Sequence, residues 1–251
     1  MYNCIVLAGG GKESADLLGR KASSKGAVCI LNKPMVEYVL EAIKGVSLID
    51  KILYIGDIEV LSKVKIGVDY SYPDTGSIFD NLINGLEFFR DEKQVLVVTS
   101  DIPLIRSYMI EDFLSRCSNE AVFCYSFVKK EDSERLFPKA HRTYIRLREG
   151  AFTGGNIVLV NPSCILKNKG LLYSVISNRK NPFNLAKVIG WGIMIKFLFG
   201  SVDIPMLEAK ASKILKGRAQ AVPVDYPEVG FDIDNQIQLA FVEEKLGKQT
   251  F

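Results

Sequence analysis

The first half of the chain alternates short apolar runs with segments whose apolar residues recur at helical spacing. The apolar runs are CIVLA (4–8), KILYIGD (51–57), VDYSY (68–72), QVLVVTSD (94–101) and EAVFCYSFV (120–128). The helical segments lie at 33–46, 76–90 and 107–117. Because parallel strands need a crossover helix between them, this alternation predicts an α/β fold: a doubly wound, mostly parallel sheet between two helical layers.

The second half changes character after one further strand, GGNIVLVNP, at 154–162. The stretch 163–220 has a mostly helical pattern, 218–234 returns to extended structure, and 235–247 predicts a terminal helix. No linker rich in Gly, Ser or Pro is long enough to separate two independent domains. We therefore predict a single domain over residues 1–251 that carries a helical insertion at 163–220.

Composition argues against several classes of function. Lys and Arg number 32 against 29 Asp and Glu, and the net charge of +3 is too small to indicate a nucleic-acid partner. His141 is the only histidine, which argues against a zinc site built on imidazoles. The five cysteines are far apart and form no CxxC pair, so we expect small core residues in a reducing compartment. We see no signal peptide ahead of CIVLA and expect a cytoplasmic protein.

The run VVTSDIPLI (97–105) places Asp101 at the end of an apolar strand, with Pro103 two residues later. Ligands of open α/β sheets bind outside the carboxyl ends of the strands. A carboxylate in that position suits Mg²⁺, which prefers oxygen ligands and is usually shared with substrate phosphates. The alternative is an aspartate that caps the following helix or turn.

The first loop, LAGGGKESADLLGRKASSKG (7–26), follows the first strand. Its three consecutive glycines, Gly9, Gly10 and Gly11, let backbone N–H groups approach an anion with no Cβ in the way. The loop also carries the basic residues Lys12, Arg20, Lys21 and Lys25. It matches neither the Walker pattern nor the dinucleotide pattern G-x-G-x-x-G, and a solvated flexible loop would have a similar composition.

The stretch FDIDNQIQL (231–239) places Asp232 and Asp234 two residues apart at the end of an extended segment. Alternate residues of a strand point the same way, so both carboxylates can face one side and serve as metal ligands. The alternative is a helix start, because Asp234 or Asn235 before an apolar-periodic segment is a common N-cap. Both roles can exist on neighbouring residues.

Five motifs, in this order, together resemble the nucleotidyltransferases of glycosyltransferase-A fold, and among them the MobA-like group. The motifs are the LAGG loop, Lys25-Gly26 followed by Lys33-Pro34, the SDIPLI strand end, a Gly-Gly-Asn strand and the final D-x-D before a helix. The resemblance covers residues 3–162 and 218–246 and leaves the insertion unexplained. The family loop usually has an arginine close behind its glycines, whereas Arg20 comes later here, so Lys12 is a candidate substitute.

The resemblance implies that an NTP and a phosphorylated small-molecule acceptor give an NDP-linked product and pyrophosphate, with Mg²⁺ as the cofactor. It implies that Lys25 neutralises charge at the attacked α-phosphate, that Asp101 and Asp234 hold the metal, and that Asp232 is a further metal candidate. It places the nucleotide against Leu7, Ala8, Gly9, Gly10, Gly11, Lys12, Arg20, Lys25, Thr75, Gly76 and Ser77, and the second substrate against Asn156. For residues 75–77 the alternative is that they form the N-cap of the 76–90 helix. For Asn156 the alternative is a structural role in a turn.

Two other functions stay open at this point. One is a glycosyltransferase of the same fold that uses a nucleotide sugar, although such enzymes normally have D-x-D at the central strand end, where Asp101 is followed by Ile-Pro. The other is a non-catalytic nucleotide-binding module, which the late Arg20 keeps open. The three acidic and basic residues Lys25, Asp101 and Asp234 together favour the enzyme.

The stretch NLAKVIGWGIMIKFLFG (184–200) is the most apolar part of the chain. Lys187 and Lys196 interrupt it, and the uncharged part is shorter than the about 20 residues that a membrane span needs. We expect a helix that packs into the core or covers the acceptor pocket. A dimer contact and an interfacial membrane helix anchored by Trp191 are the alternatives. We predict no membrane span, and a monomer or a homodimer.

Overall fold

The computed structural model describes residues 1–138, 142–178, 196 and 200–248. The strands are β1 Tyr2–Ala8, β2 Cys29–Ile30, β3 Lys33–Pro34, β4 Ile49–Gly56, β5 Tyr70–Pro73, β6 Val95–Thr99, β7 Ala121–Lys129, β8 Ile145–Leu147, β9 Gly150–Val160 and β10 Arg218–Pro223. The α-helices are α1 Lys12–Leu17, α2 Met35–Lys44, α3 Ile78–Phe88, α4 Ser107–Arg116, α5 Lys130–Leu136, α6 Pro162–Lys167, α7 Lys169–Asn178, α8 Ile204–Leu215 and α9 Gln236–Gly247. Short 3₁₀ turns lie at Lys25–Ala27, Ile58–Lys63 and Pro227–Gly230.

The main sheet follows the order β5-β4-β1-β6-β9-β7-β10, with β8 paired to β9 at its side. Neighbouring strands are parallel except for β9, which runs antiparallel to both β6 and β7. The amino-terminal end of β9 therefore reaches the same edge of the sheet as the carboxyl ends of β6 and β7. The predicted fold class is confirmed: a mostly parallel sheet with helices on both faces.

Strand β1 illustrates why the central strands are continuous apolar runs. Cys4 and Val6 face one layer, where they pack with residues of α2 and α4, and Ile5 and Leu7 face the other, where α3 and α6 contribute. Because both faces of the strand are covered, apolar side chains are needed at every position and the alternating pattern of a half-exposed strand is lost. The same reasoning explains β6, whose residues 95–98 are all buried.

The first loop is more ordered than its composition suggests. It contains the short helix α1, whose Ala15 packs, together with Leu18 just after it, in one apolar cluster with Leu239 and Val242 of α9. Six residues are too few for a helix to be recognised from periodicity, because tertiary packing rather than propensity holds it. Helix α5 and strand β8 were also not predicted, for the same reason of length.

The predicted insertion begins with α6 and α7 and continues with α8. Strand β10 begins at Arg218 and pairs with β7 in the main sheet. The predicted insertion at 163–220 therefore overlaps the start of this strand. Most of the apolar stretch 184–200 lies outside the described residues. In the part of the chain that is described, no helix has the length and apolar character needed to cross a bilayer. The single domain over 1–251 stays a prediction.

All five cysteines are free thiols. Cys4, Cys117 and Cys124 are buried, as expected of small core residues. Cys29 is exposed and Cys164 is only half-buried, so the prediction of core positions is wrong for Cys29. Its place in the two-residue strand β2 explains the difference, because β2 pairs only with β3 in a separate two-stranded sheet.

Candidate active site

Three segments that are far apart in sequence meet at the carboxyl edge of the sheet. Strand β1 leads into the glycine turn, β6 ends at Thr99 just before Asp101, and the extended segment 231–234 lies across the end of β6. The backbone N–H of Ile233 donates to the carbonyl of Asp101 at 3.0 Å. This main-chain bond places Asp232 and Asp234, on either side of Ile233, next to Asp101.

Lys25 joins the glycine turn to the acidic residues. Its Nζ donates to Asp101 Oδ2 at 2.7 Å and to Asp234 Oδ1 at 2.9 Å. The backbone N–H of Lys25 donates to the carbonyl of Gly10 at 2.9 Å, and a 3₁₀ turn begins at Lys25. The side chains of Lys25 and Asp101 are 12% and 19% exposed, whereas Asp234 is 62% exposed and opens to solvent. Asp101 and Asp234 thus share one cation and lie in one site.

The charges of the site are set by their neighbours. Burial by itself would lower the pKa of Lys25, but Asp101 and then Asp234 outweigh it and raise the pKa, so the ammonium stays charged. Burial raises the pKa of Asp234, Lys25 opposes this, and the neighbouring Asp232 raises it further. Burial also acts to raise the pKa of Asp232, but Arg142 outweighs it and the pKa is lowered.

The acidic residues form a group that suits a divalent cation. One carboxylate oxygen from each of Asp101, Asp232 and Asp234 lies within 4.8 Å of the other two. Asp101 Oδ1 is buried and has no hydrogen-bond partner among the described residues. A buried carboxylate oxygen without a partner is costly unless something else, such as a metal ion, binds it. Within the described ranges, two cations, Lys25 and Arg142, form ion pairs with these three carboxylates, so the described group has an excess negative charge.

A cavity of about 340 Å³ opens beside the acidic group, between the glycine turn and the start of α3. It is lined by Leu7, Gly9, Gly10, Ser14, Lys25, Asp74, Gly76, Ile78, Asn81, Thr99, Ser100 and Asp101. Gly10 has a φ of +98°, a conformation that favours glycine. The cavity has the position that ligands take in open α/β sheets, outside the strand ends.

A hydrogen-bond network around Asn81 supports the part of the cavity wall that lies against Gly9. The buried Asn81 donates its Nδ2 to Asp74 Oδ1 at 2.6 Å and accepts from the backbone and the hydroxyl of Thr75 at 3.0 and 2.8 Å. A Cβ at Gly9 would lie 2.8 Å from Asn81 Nδ2, so the network packs directly against the glycine turn. Sequence reasoning missed Asp74 and Asn81, although a polar residue on the buried face of α3 is a signal of such a network.

The predicted residues 75–77 divide between two roles. Gly76 lines the cavity, and its backbone N–H donates to Asp74 Oδ1 at 2.9 Å. Ser77 is the N-cap of α3, because its Oγ accepts from the backbone of Asp80 at 3.3 Å. In the motif that contains Asp232 and Asp234, the N-cap of α9 is Asn235, which forms a capping box with Gln238. The Asp234 carboxylate is therefore not used as a cap and accepts from Lys25.

Other predicted residues lie at the margin of the cavity or away from it. Ala8 is buried beneath the turn, and Gly11 and Lys12 are exposed at the start of α1. Arg20 forms an ion pair with Glu243 of α9 at 2.7 Å. Asn156 donates to the carbonyl of Val229 at 3.3 Å. These five residues do not belong to the lining of the cavity in the described structure.

Comparison with known proteins gives matches in both sequence and structure. A family model described as a MobA-like NTP transferase domain matches residues 4–165. Among solved structures, a hypothetical transferase from Thermus thermophilus is 38% identical, with a TM-score of 0.84, over 95% of this chain and 99% of its own. A search of curated protein sequences found no match.

More distant solved structures share the fold. A CMP:2-keto-3-deoxy-manno-octonic acid synthetase complexed with CTP has a TM-score of 0.62 at 14% identity, over 99% of this chain and 100% of its own. A 4-diphosphocytidyl-2C-methyl-D-erythritol synthase from Anaerococcus prevotii has a TM-score of 0.60 at 11% identity, over 98% of this chain and 96% of its own. The family indicated by the sequence motifs is confirmed: the chain belongs to the MobA-like NTP transferases and is a nucleotidyltransferase.

Proposed function

We propose that this chain transfers a nucleotidyl group from an NTP to a phosphorylated small molecule, in a Mg²⁺-dependent reaction that releases pyrophosphate. The observation that carries the proposal is the position of Lys25, which bridges Asp101 and Asp234 beside a cavity bounded by the glycine turn. The family supplies the general reaction class; the acceptor and the metal belong to the proposal.

In this reaction an oxygen of the acceptor phosphate attacks the α-phosphorus of the NTP. The bond from that phosphorus to the bridging oxygen breaks, and pyrophosphate leaves with the electron pair. The attacking phosphate is already anionic at neutral pH, so no general base is needed. The protein has to place the two phosphates in line and offset their charge.

The residues of the site suit these tasks. The backbone N–H groups of Gly9, Gly10 and Gly11 are available to an anion because no Cβ covers them. Lys25 lines the cavity, and its ammonium would offset the charge that builds up on the α-phosphate. Asp101 and Asp234 would hold Mg²⁺, with Asp232 as a further ligand. The bound metal would offset phosphate charge and bring the two reacting phosphates together.

The excess negative charge of the site supports metal dependence. In the part of the chain that the structure describes, three carboxylates pair with two cations there, so a triphosphate brought in alone would meet repulsion. A divalent cation would reverse the sign of the net charge of the site and remove this repulsion. The free thiols are consistent with the expected cytoplasmic location, which also remains a proposal.

The test is pyrophosphate release with each of the four NTPs, Mg²⁺ and a panel of sugar, alditol and lactyl phosphates. The wild type is expected to turn over at least one pair, and Lys25→Gln to lose on the order of 10²-fold or more in rate. Lys21→Gln, which removes an exposed lysine of the same loop, is the matched control and should keep wild-type rates. Nucleotide-sugar cleavage without pyrophosphate formation would favour the glycosyltransferase, and binding without turnover the non-catalytic module.

A further inference from the structure

The acidic group has a second side that the cavity beside the glycine turn does not reach. Arg142 lies there, just before β8, and its Nη1 donates to Asp232 Oδ1 at 2.5 Å. The neighbouring Tyr144 hydroxyl donates to Ser133 Oγ at 3.2 Å, which ties this segment to α5. Arg142 therefore approaches Asp232 from the part of the sheet formed by β7 and β9, whereas the cavity lies over β1 and β6.

The guanidinium of Arg142 is only partly used by this contact. Its side chain is 13% exposed, and its Nε is buried with no hydrogen-bond partner among the described residues. A guanidinium offers a planar fork of N–H donors that fits the oxygens of a phosphate or carboxylate. A buried donor left without a partner is costly, so its retention calls for a reason.

A polar side chain, that of Tyr125, lies near Arg142 and is partly open to solvent. The Tyr125 side chain is 38% exposed on β7, within electrostatic reach of both Arg142 and Asp232. The Tyr125 hydroxyl packs against the backbone of Gly154, where any side chain would clash with it: a Cβ at Gly154 would lie 2.0 Å from the hydroxyl oxygen. Gly154 belongs to the amino-terminal part of β9, which runs antiparallel and so reaches the site edge with its first residues.

We propose that Arg142 binds the phosphate of the acceptor, on the side of Asp232 opposite the nucleotide cavity. The inference rests on the proposed function, which requires a second anion close to the metal but distinct from the triphosphate. Asp232 holds the guanidinium in place through one oxygen. The guanidinium donors that Asp232 does not engage would bind the phosphate, which would then lie beside the acidic group that would hold Mg²⁺.

The test measures binding of two probes to the full chain by calorimetry, in the presence of Mg²⁺ and a non-hydrolysable NTP analogue. Glycerol 3-phosphate is the phosphomonoester and lactate is the carboxylate. Arg142→Gln should weaken glycerol 3-phosphate binding by tenfold or more, because charge-assisted hydrogen bonds are lost. Arg142→Lys keeps the charge but not the fork and should give an intermediate loss. Arg146→Gln, an exposed arginine of β8, is the matched control and should change binding less than twofold.

Binding of the NTP analogue, measured in the same samples, separates a ligand role from a purely structural one. It should change less than threefold in Arg142→Gln, whereas a loss equal to that for glycerol 3-phosphate would show that Arg142 only positions Asp232. The proposal is also overturned if the wild type does not bind glycerol 3-phosphate, if Arg142→Gln binds it unchanged, or if lactate binds as tightly. If thermal melting shows that Arg142→Gln is unfolded, the folded Arg142→Lys variant decides by the same criteria.

These outcomes are distinguishable from a failure of the proposed function. A wild type that binds no NTP analogue with Mg²⁺, or releases no pyrophosphate with any acceptor, counts against the nucleotidyl transfer itself. Intact nucleotide binding and turnover combined with an unaffected acceptor affinity in Arg142→Gln count only against the role of Arg142.

Discussion

Replacing Gly9 by alanine tests whether the glycine turn is fitted to the network behind it. The added Cβ would lie 2.8 Å from Asn81 Nδ2 and 3.1 Å from Asp74 Oδ1. Contacts below 3.0 Å are not tolerated, and the Asn81 amide is the end of a short side chain that three hydrogen bonds hold in place, so it cannot simply swing away. The variant must displace Asn81 or move the turn.

The expected magnitude follows from what Asn81 loses. Three hydrogen bonds hold its amide, to Asp74 and to two atoms of Thr75. A net hydrogen bond is worth about 1 kcal/mol, and overpacking of a core site typically costs 1–3 kcal/mol. We therefore expect Gly9→Ala to lower the free energy of unfolding by about 2–3 kcal/mol and to weaken nucleotide binding, because the cavity wall moves.

Urea unfolding of four proteins measures this coupling: wild type, Gly9→Ala, Asn81→Ala and the double variant. Asn81→Ala removes the atom that the new methyl would strike, so Gly9→Ala should cost less than about 1 kcal/mol in that background. Gly11→Ala is the control, since a Cβ there meets nothing within 4 Å and φ is −63°, and its effect should stay within about 0.5 kcal/mol. An equal cost of Gly9→Ala in both backgrounds would refute the steric reasoning.

Three further changes give shorter tests. We expect Mg²⁺ to raise the melting temperature of the wild type; Asp101→Asn should abolish this rise and slow pyrophosphate release by on the order of 10²-fold or more, and an unchanged metal response would contradict its role as a ligand. Asn235→Ala should lower the free energy of unfolding by about 1 kcal/mol in urea, because it removes the capping box of α9. The pKa of Asp69 is lowered below its ordinary 3.8, chiefly by the backbone N–H of Ile52, so its carboxylate stabilises the fold above that pH and loses this effect as the pH falls. The stability difference between wild type and Asp69→Asn should therefore shrink below pH 3.8, and a constant difference would argue against this assignment.

The central part of the fold was predictable because burial dictates its residue types. A strand covered on both faces, such as β6, has to be apolar at every position, and its end is then visible as a change of composition at Asp101. The meeting of Lys25, Asp101 and Asp234 was predictable only through the family resemblance. Nothing local in the sequence relates Lys25 to Asp234, and the structure joins them at 2.9 Å.

The parts that were missed depend on contacts between distant segments. The pair of Arg142 and Asp232 spans 90 residues and has no signature in spacing or periodicity. Helix α1 packs against α9, and a six-residue pattern cannot predict this tertiary contact. Arg20, expected near the phosphates, pairs with Glu243 of the same helix, which the sequence of the loop alone could not indicate.

The main-chain bond from Ile233 to the carbonyl of Asp101 has a consequence for synthesis of the protein. The segment that carries Asp232 and Asp234 leaves the ribosome long after the turn and the strand it completes. A nascent chain in which β1 has already paired with β6 contains Lys25 and Asp101 but not yet Asp232 and Asp234. Assembly of the acidic group therefore waits for the carboxyl-terminal segment, and a chain released before residue 232 lacks two of the three carboxylates.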